Sequence, residues 1–185
     1  MFPFLLAFIA GFLVKWVDWL DDDKKSKGPA KYALAVLYGL LIGYLIGTSS
    51  FAVLFLAALV AQVFARKVDT TAHRIGFISS AVAMVVFGFP LIDAAPFAFF
   101  LMLAFLDEAD YIGWLRPLAD HRPFLKLGGL VMLATGRWDY FAAIMLFDIG
   151  YLMFHALVRP AQVGSKNRKT PKPPSPGKRR SQARN

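Results

Sequence analysis

The chain has 185 residues, 57% of them hydrophobic and 18 of them Phe, with a mean hydropathy of +0.52. A water-soluble fold of this size has too little interior to hide that much apolar surface, so the composition describes an integral membrane protein. No cysteine is present, which excludes disulfides, thiolate metal sites and a cysteine nucleophile; the formal net charge of +9 falls almost wholly in the gaps between apolar stretches.

The first stretch, about Phe2 to Leu20, has no basic leader and no small-residue cleavage site, and is expected to be a retained helix. It ends in Asp21-Asp22-Asp23-Lys24-Lys25 with Trp16 and Trp19 at the boundary, where aromatic residues favour the membrane interface. A second helix, Tyr32 to Ile46, and a third, Phe51 to Ala65, are separated only by Gly47-Thr48-Ser49-Ser50 and form a hairpin. The fourth is expected over Ile75 to Ile92, ending near Pro90, and the fifth over Pro96 to Leu106. The sixth, Phe124 to Ala134, is short, and the seventh is Tyr140 to Val158.

The expected fold is an all-α integral membrane bundle of seven transmembrane helices, or six if the sixth segment does not cross. Residues 1–160 form the helical domain and 161–185 a disordered basic tail. A crossing needs about 20 apolar residues for ~30 Å of hydrocarbon, so segments 2, 3, 5 and 6 are short and half-helices shielded by neighbours are an alternative. With the N-terminus outside and seven crossings, Lys24, Lys25, Lys27, Lys31, Arg66, Lys67, Arg74, Arg116, Arg122 and Lys126 fall on the cytoplasmic side with the tail, leaving Arg137 outside. This assigns a multipass protein of the cell membrane with a cytoplasmic C-terminus. The tail, rich in Lys, Arg, Pro and Ser, lacks the apolar content to order itself. It is either a topology signal or a contact for anionic lipid, nucleic acid or a protein.

Gly39, Gly43 and Gly47 recur every four residues and admit a close helix neighbour, within the chain or in a homo-oligomer. Asp148 falls near the middle of the seventh helix, where an ionised carboxylate is costly, with Tyr151 and His155 on roughly the same face. These intramembrane polar residues fit a proton or cation path, or a packing role in which Asp148 pairs with Lys126 or a tyrosine hydroxyl.

Three connections predicted on one membrane face carry the most suggestive chemistry. They supply Asp18, Asp21 and Asp22; Asp69 and His73; and Asp107, Glu108, Asp110, Arg116, Asp120, His121 and Arg122. Mg²⁺ or another divalent cation commonly bridges carboxylates to substrate phosphates, so Asp18, Asp22 and Asp107 are the candidate metal ligands. His73 with Asp69 is the candidate catalytic pair, since an unperturbed imidazole titrates near ~6.5. Arg66, Arg74 and Arg116 are the candidate substrate-binding residues for phosphate. The Asp-x-x-x-Asp spacing of Asp18 and Asp22 resembles the magnesium motif of membrane prenyltransferases, without its companion Asn or a second such motif. The Asp-Gly-x-x-Ala-Arg pattern of CDP-alcohol phosphotransferases is absent, as are a Gly-rich phosphate loop, a Gly-x-Ser-x-Gly elbow and a His-Glu-x-x-His helix. The leading expectation is a divalent-metal-dependent enzyme acting on a phosphorylated lipid or polyprenyl phosphate in membrane lipid. A small proton- or cation-coupled transporter or channel, and a noncatalytic scaffold recruiting through its tail, are the alternatives.

Overall fold

The computed structural model describes residues 1–23, 28–109 and 123–166; the side chains of 22, 23 and 159–166 lie outside that description, as do all of 24–27, 110–122 and 167–185. The described residues form seven α-helices and no strand. Helix α1 is Phe2–Asp18, running directly into a π-helical turn, Trp19–Asp23. Helices α2 (Ala30–Thr48) and α3 (Ala52–Phe64) follow as the expected hairpin.

Helix α4 is Thr71–Phe87, starting earlier and stopping sooner than the sequence pattern suggests. Thr70 caps it by accepting from the His73 amide at 3.3 Å, the role for which a short hydroxyl side chain is suited. Gly88, at φ 108°, ends it before Pro90. Helix α5 is Ala94–Asp107, capped by Asp93, α6 is Pro123–Ala134 and α7 is Trp138–Lys166. The last of these continues beyond Val158 through Pro160.

Helix α1 lies between α2 and α7, α4 packs on α2, and the sequence α3, α5, α6, α7 closes the other side. Small residues set the two tightest approaches. A Cβ on Gly11 would overlap the Phe147 carbonyl and one on Gly150 the Phe8 carbonyl, so α1 and α7 touch backbone to backbone. Gly39, Gly43 and Gly47 are covered by Gly76, Ser80 and Phe87–Gly88 of the same chain, so this stripe seats α4. The first two turns of α3, Phe51 to Ala57, are buried on every side, which explains why they have no polar position.

Large apolar side chains also cover the outside. Phe64, Val85, Val86, Leu130, Leu152 and Leu157 are all exposed, an exterior that suits hydrocarbon and not water. Three helices, Phe2–Asp21, Ala30–Thr48 and Trp138–Val158, are long and apolar enough to cross a membrane.

Polar groups collect at the two ends. At the Ser50 end, Phe4 stacks against Phe51 and Trp138 at 5.3 and 5.4 Å. Ser50 Oγ donates to Asp139 at 2.7 Å, and Arg137 Nη2 donates to the Ser50 carbonyl at 2.8 Å. Hydrogen bonding to the Asp139 carboxylate pushes the Arg137 pKa up. The starts of α1, α3 and α7 are thereby held level.

Candidate functional site at the Asp18 end

At the opposite end, four helices contribute to one continuous chain of polar contacts. Lys15 Nζ on α1 donates to the Tyr151 hydroxyl on α7 at 3.1 Å, and that hydroxyl donates to Asp18 Oδ2, also at 3.1 Å. Asp18 Oδ1 lies 3.3 Å from His73 Nε2 on α4, and His73 Nδ1 lies 3.3 Å from the Tyr38 hydroxyl on α2. The local sequence makes each placement. Thr70 starts α4 so that His73 falls in its first turn facing α1, and Gly76, one turn on, has no side chain where the Tyr38 ring lies.

An ionised carboxylate only accepts, so Asp18 assigns the proton of a neutral imidazole to Nε2 and leaves Nδ1 to accept from Tyr38. A second proton on His73 would sit between the same heavy atoms, with the Tyr38 hydroxyl rotating to accept. Both ring nitrogens of His73 thus face a polar partner held by a different helix.

Asp21 extends the cluster. One oxygen pairs with Lys31 at the start of α2, and the other, Oδ2, is buried without a hydrogen-bond partner among the described residues. Thr70 lies beside this carboxylate. Asp21 lies in the π-helical turn Trp19–Asp23, and such turns recur at functional sites.

The candidate residues separate into groups. Asp18 and His73 meet, although they were assigned to different roles. His73 is paired with Asp18 and not with Asp69, because Asp69 precedes the extended cap residue Thr70, where no helical i, i+4 face exists; its side chain is exposed. Arg66 and Arg74 are exposed at this same end and form no ion pair among the described residues. Arg116, and the side chain of Asp22, lie outside the described residues. Asp107 is buried at the end of α5, and its two oxygens accept from the Phe124 and Leu125 amides at 2.9 and 2.7 Å. It caps α6. Among the described residues, no three His, Asp or Glu side chains gather in an arrangement able to hold a metal ion.

In α7, Asp148 pairs with Lys126 of α6 at 2.8 Å. His155, one turn beyond Tyr151, is half-buried. Tyr38 escapes a reading by sequence, since a tyrosine inside an apolar helix looks like core; the glycine opposite it, Gly76, is the only hint, and only once α2 and α4 are known to be neighbours.

Comparison with protein-family models, with curated proteins and with solved structures gives no match.

Proposed function

We propose that this chain is a multipass membrane enzyme performing acid–base chemistry on a lipid with a phosphorylated headgroup, at the Asp18 end of the bundle. The observation that carries the reading is the Asp18–His73 contact of 3.3 Å, bracketed by the hydroxyls of Tyr38 and Tyr151. His73 takes a proton from the water or hydroxyl whose oxygen attacks the headgroup phosphorus, the P–O bond to the departing alcohol or phosphate breaks, and the imidazolium, stabilised by the Asp18 carboxylate, returns its proton to the leaving oxygen. Arg66 and Arg74, exposed beside it, hold the phosphate charge by forked hydrogen bonds.

The carboxylates fit a metal poorly as placed. Both oxygens of Asp18 and both of Asp107 are engaged within the protein, so no step is assigned to a divalent cation. The apolar exteriors of α3, α4, α5 and α6 support membrane embedding for all seven helices, and the excess of Lys and Arg at the Asp18 end supports a cytoplasmic position for it. Transport draws less support. Asp148 is closed by Lys126, and α7 from Phe141 to Phe147 offers no polar side chain leading onward to Asp139.

The test is phosphorus NMR of vesicles containing mixed phospholipids and polyprenyl phosphate, incubated with the purified protein. Wild type should convert one phosphorus resonance into another, and His73→Gln and Asp18→Asn should slow that conversion by about 100-fold or more. Absence of any change with wild type, or equal rates in His73→Gln, overturns the proposal.

A further inference from the structure

The connection between α4 and α5, residues 88–93, carries large apolar side chains where a loop between helices ordinarily carries small polar ones. Leu91 is 99% exposed, Phe89 67% and Ile92 53%. They continue the exposed strip of Val82, Val85 and Val86 on α4, and no charge falls between Arg74 and Asp93. Both ends of the connection are placed. The Gly88 carbonyl lies against Gly47 in the last turn of α2, and Asp93 is near enough to Tyr140, in the first turn of α7, for its charge to act there. The connection therefore lies at the Ser50 end of the bundle. The described residues that flank 24–27, 110–122 and 167–185 lie toward the other end.

The backbone of this connection has the opposite character to its side chains. The amides of Phe89, Leu91 and Ile92 donate to no backbone carbonyl among the described residues, and Pro90 has no amide hydrogen to give. Bare amides are too costly for the hydrocarbon interior, whereas exposed leucine and phenylalanine are poorly suited to water. One level satisfies both, the boundary where acyl chains meet headgroups. A second copy or another protein would need to bring acceptors at matching positions to three amides, while headgroups and their water supply acceptors everywhere. The uncharged part of α4, Ile75 to Phe87, also rises only about 20 Å, short of the ~30 Å of hydrocarbon. Apolar side chains beyond its end extend the height that lipid can cover.

We infer that Phe89, Leu91 and Ile92 anchor the Ser50 end in the adjoining lipid leaflet, their side chains among the outermost acyl carbons and their amides bonded to headgroup oxygens and water. The inference rests on the bundle lying in a bilayer, not on the chemistry proposed for His73.

Because the chain has no cysteine, single nitroxide labels can be placed at Leu91→Cys, at Ile78→Cys deeper on the exposed side of α4, and at Thr135→Cys, exposed in the polar turn between α6 and α7 at the same end. The full chain is reconstituted in phosphatidylcholine vesicles, and collisions with oxygen and with a water-soluble nickel chelate are read by electron paramagnetic resonance. The Leu91 label should favour oxygen over nickel several-fold more than the Thr135 label, though both sit on loops, and less than the Ile78 label. It should also broaden the lipid phosphorus resonance more than the Ile78 label does. Nickel access at Leu91 equal to that at Thr135 overturns the inference, as does a Leu91 label as deep as Ile78. Low access to both reagents at Leu91 means that protein covers it, and likewise overturns the lipid anchor. Nickel preference at Ile78 as well removes the membrane placement itself.

Discussion

Arg66 closes α3 in the same backbone form that Gly136 adopts at the end of α6. The Arg66 amide donates to Val63 and that of Lys67 to Gln62, while the Gly136 amide donates to Leu133 and that of Arg137 to Met132. Both residues have positive φ, 56° and 80°. Glycine enters that conformation freely, whereas a residue with a Cβ does so at a cost of about 1 kcal/mol. A non-glycine in this position at the site end is a point where stability is surrendered.

Arg66→Gly should therefore raise the stability of the folded bundle by about 1 kcal/mol, read by thermal unfolding in detergent. Under the function proposed above, the same variant should also raise KM for a phosphorylated lipid, because its guanidinium is lost. Unchanged or lower melting temperature would show that the arginine side chain contributes packing that outweighs the backbone term.

Tyr151→Phe removes one hydroxyl from the middle of the Lys15–Tyr151–Asp18 chain. The expected loss is about 1–2 kcal/mol, the cost of an interior hydrogen bond whose partner stays behind. A double-mutant cycle with His73→Gln should show coupling between α7 and α4 through Asp18. Strict additivity would mean that Tyr151 and His73 act on Asp18 independently.

Gly11→Ala and Gly88→Ala should both destabilise, for different reasons. At Gly11 the new methyl meets the Phe147 carbonyl across the α1–α7 contact, and overpacking of that kind costs about 1–3 kcal/mol. At Gly88 nothing lies within 4 Å of the position, but φ is 108°, so the penalty is backbone strain alone. Thermal melts that add Gly11→Ser and Gly88→Asn separate the causes: the loss at Gly11 should grow with side-chain size, whereas at Gly88, where φ is 108° and ψ 158°, a region essentially restricted to glycine, alanine and asparagine should cost the same.

Lys126→Met leaves Asp148 without its cation. A loss of about 1–3 kcal/mol is expected, the lower part of the range for breaking a buried pair because both side chains are partly exposed. Lys126→Met combined with Asp148→Leu should recover most of that loss in the same denaturation measurement. No recovery would show that Asp148 is held by other contacts.

The helices were legible in the sequence because their exposed and buried surfaces are both apolar, which leaves most charges near the ends, Asp148 and Lys126 apart. Helix limits were less so. The fourth segment looked as though it ran through Phe89 and Pro90, since hydrophobicity alone does not reveal a positive φ at Gly88. Asp18 and His73 stood out as polar residues at helix ends, but their pairing depends on α1 and α4 approaching across α2, and no local spacing encodes that. Asp107 shows the reverse case. Its type suggested a ligand, and only the tertiary structure reveals that its oxygens serve the amides of another helix.

The backbone contact between Gly11 and Phe147, matched by Gly150 and Phe8, joins the beginning of the polypeptide to its final described helix. During synthesis α1 is complete long before its closest neighbour exists, and the central α3 likewise waits for α5 and α7. Assembly of this bundle is accordingly a late event: truncation ahead of Trp138 should leave loosely associated helices, cleared by quality-control proteases, while α7 locks them shut once it is made.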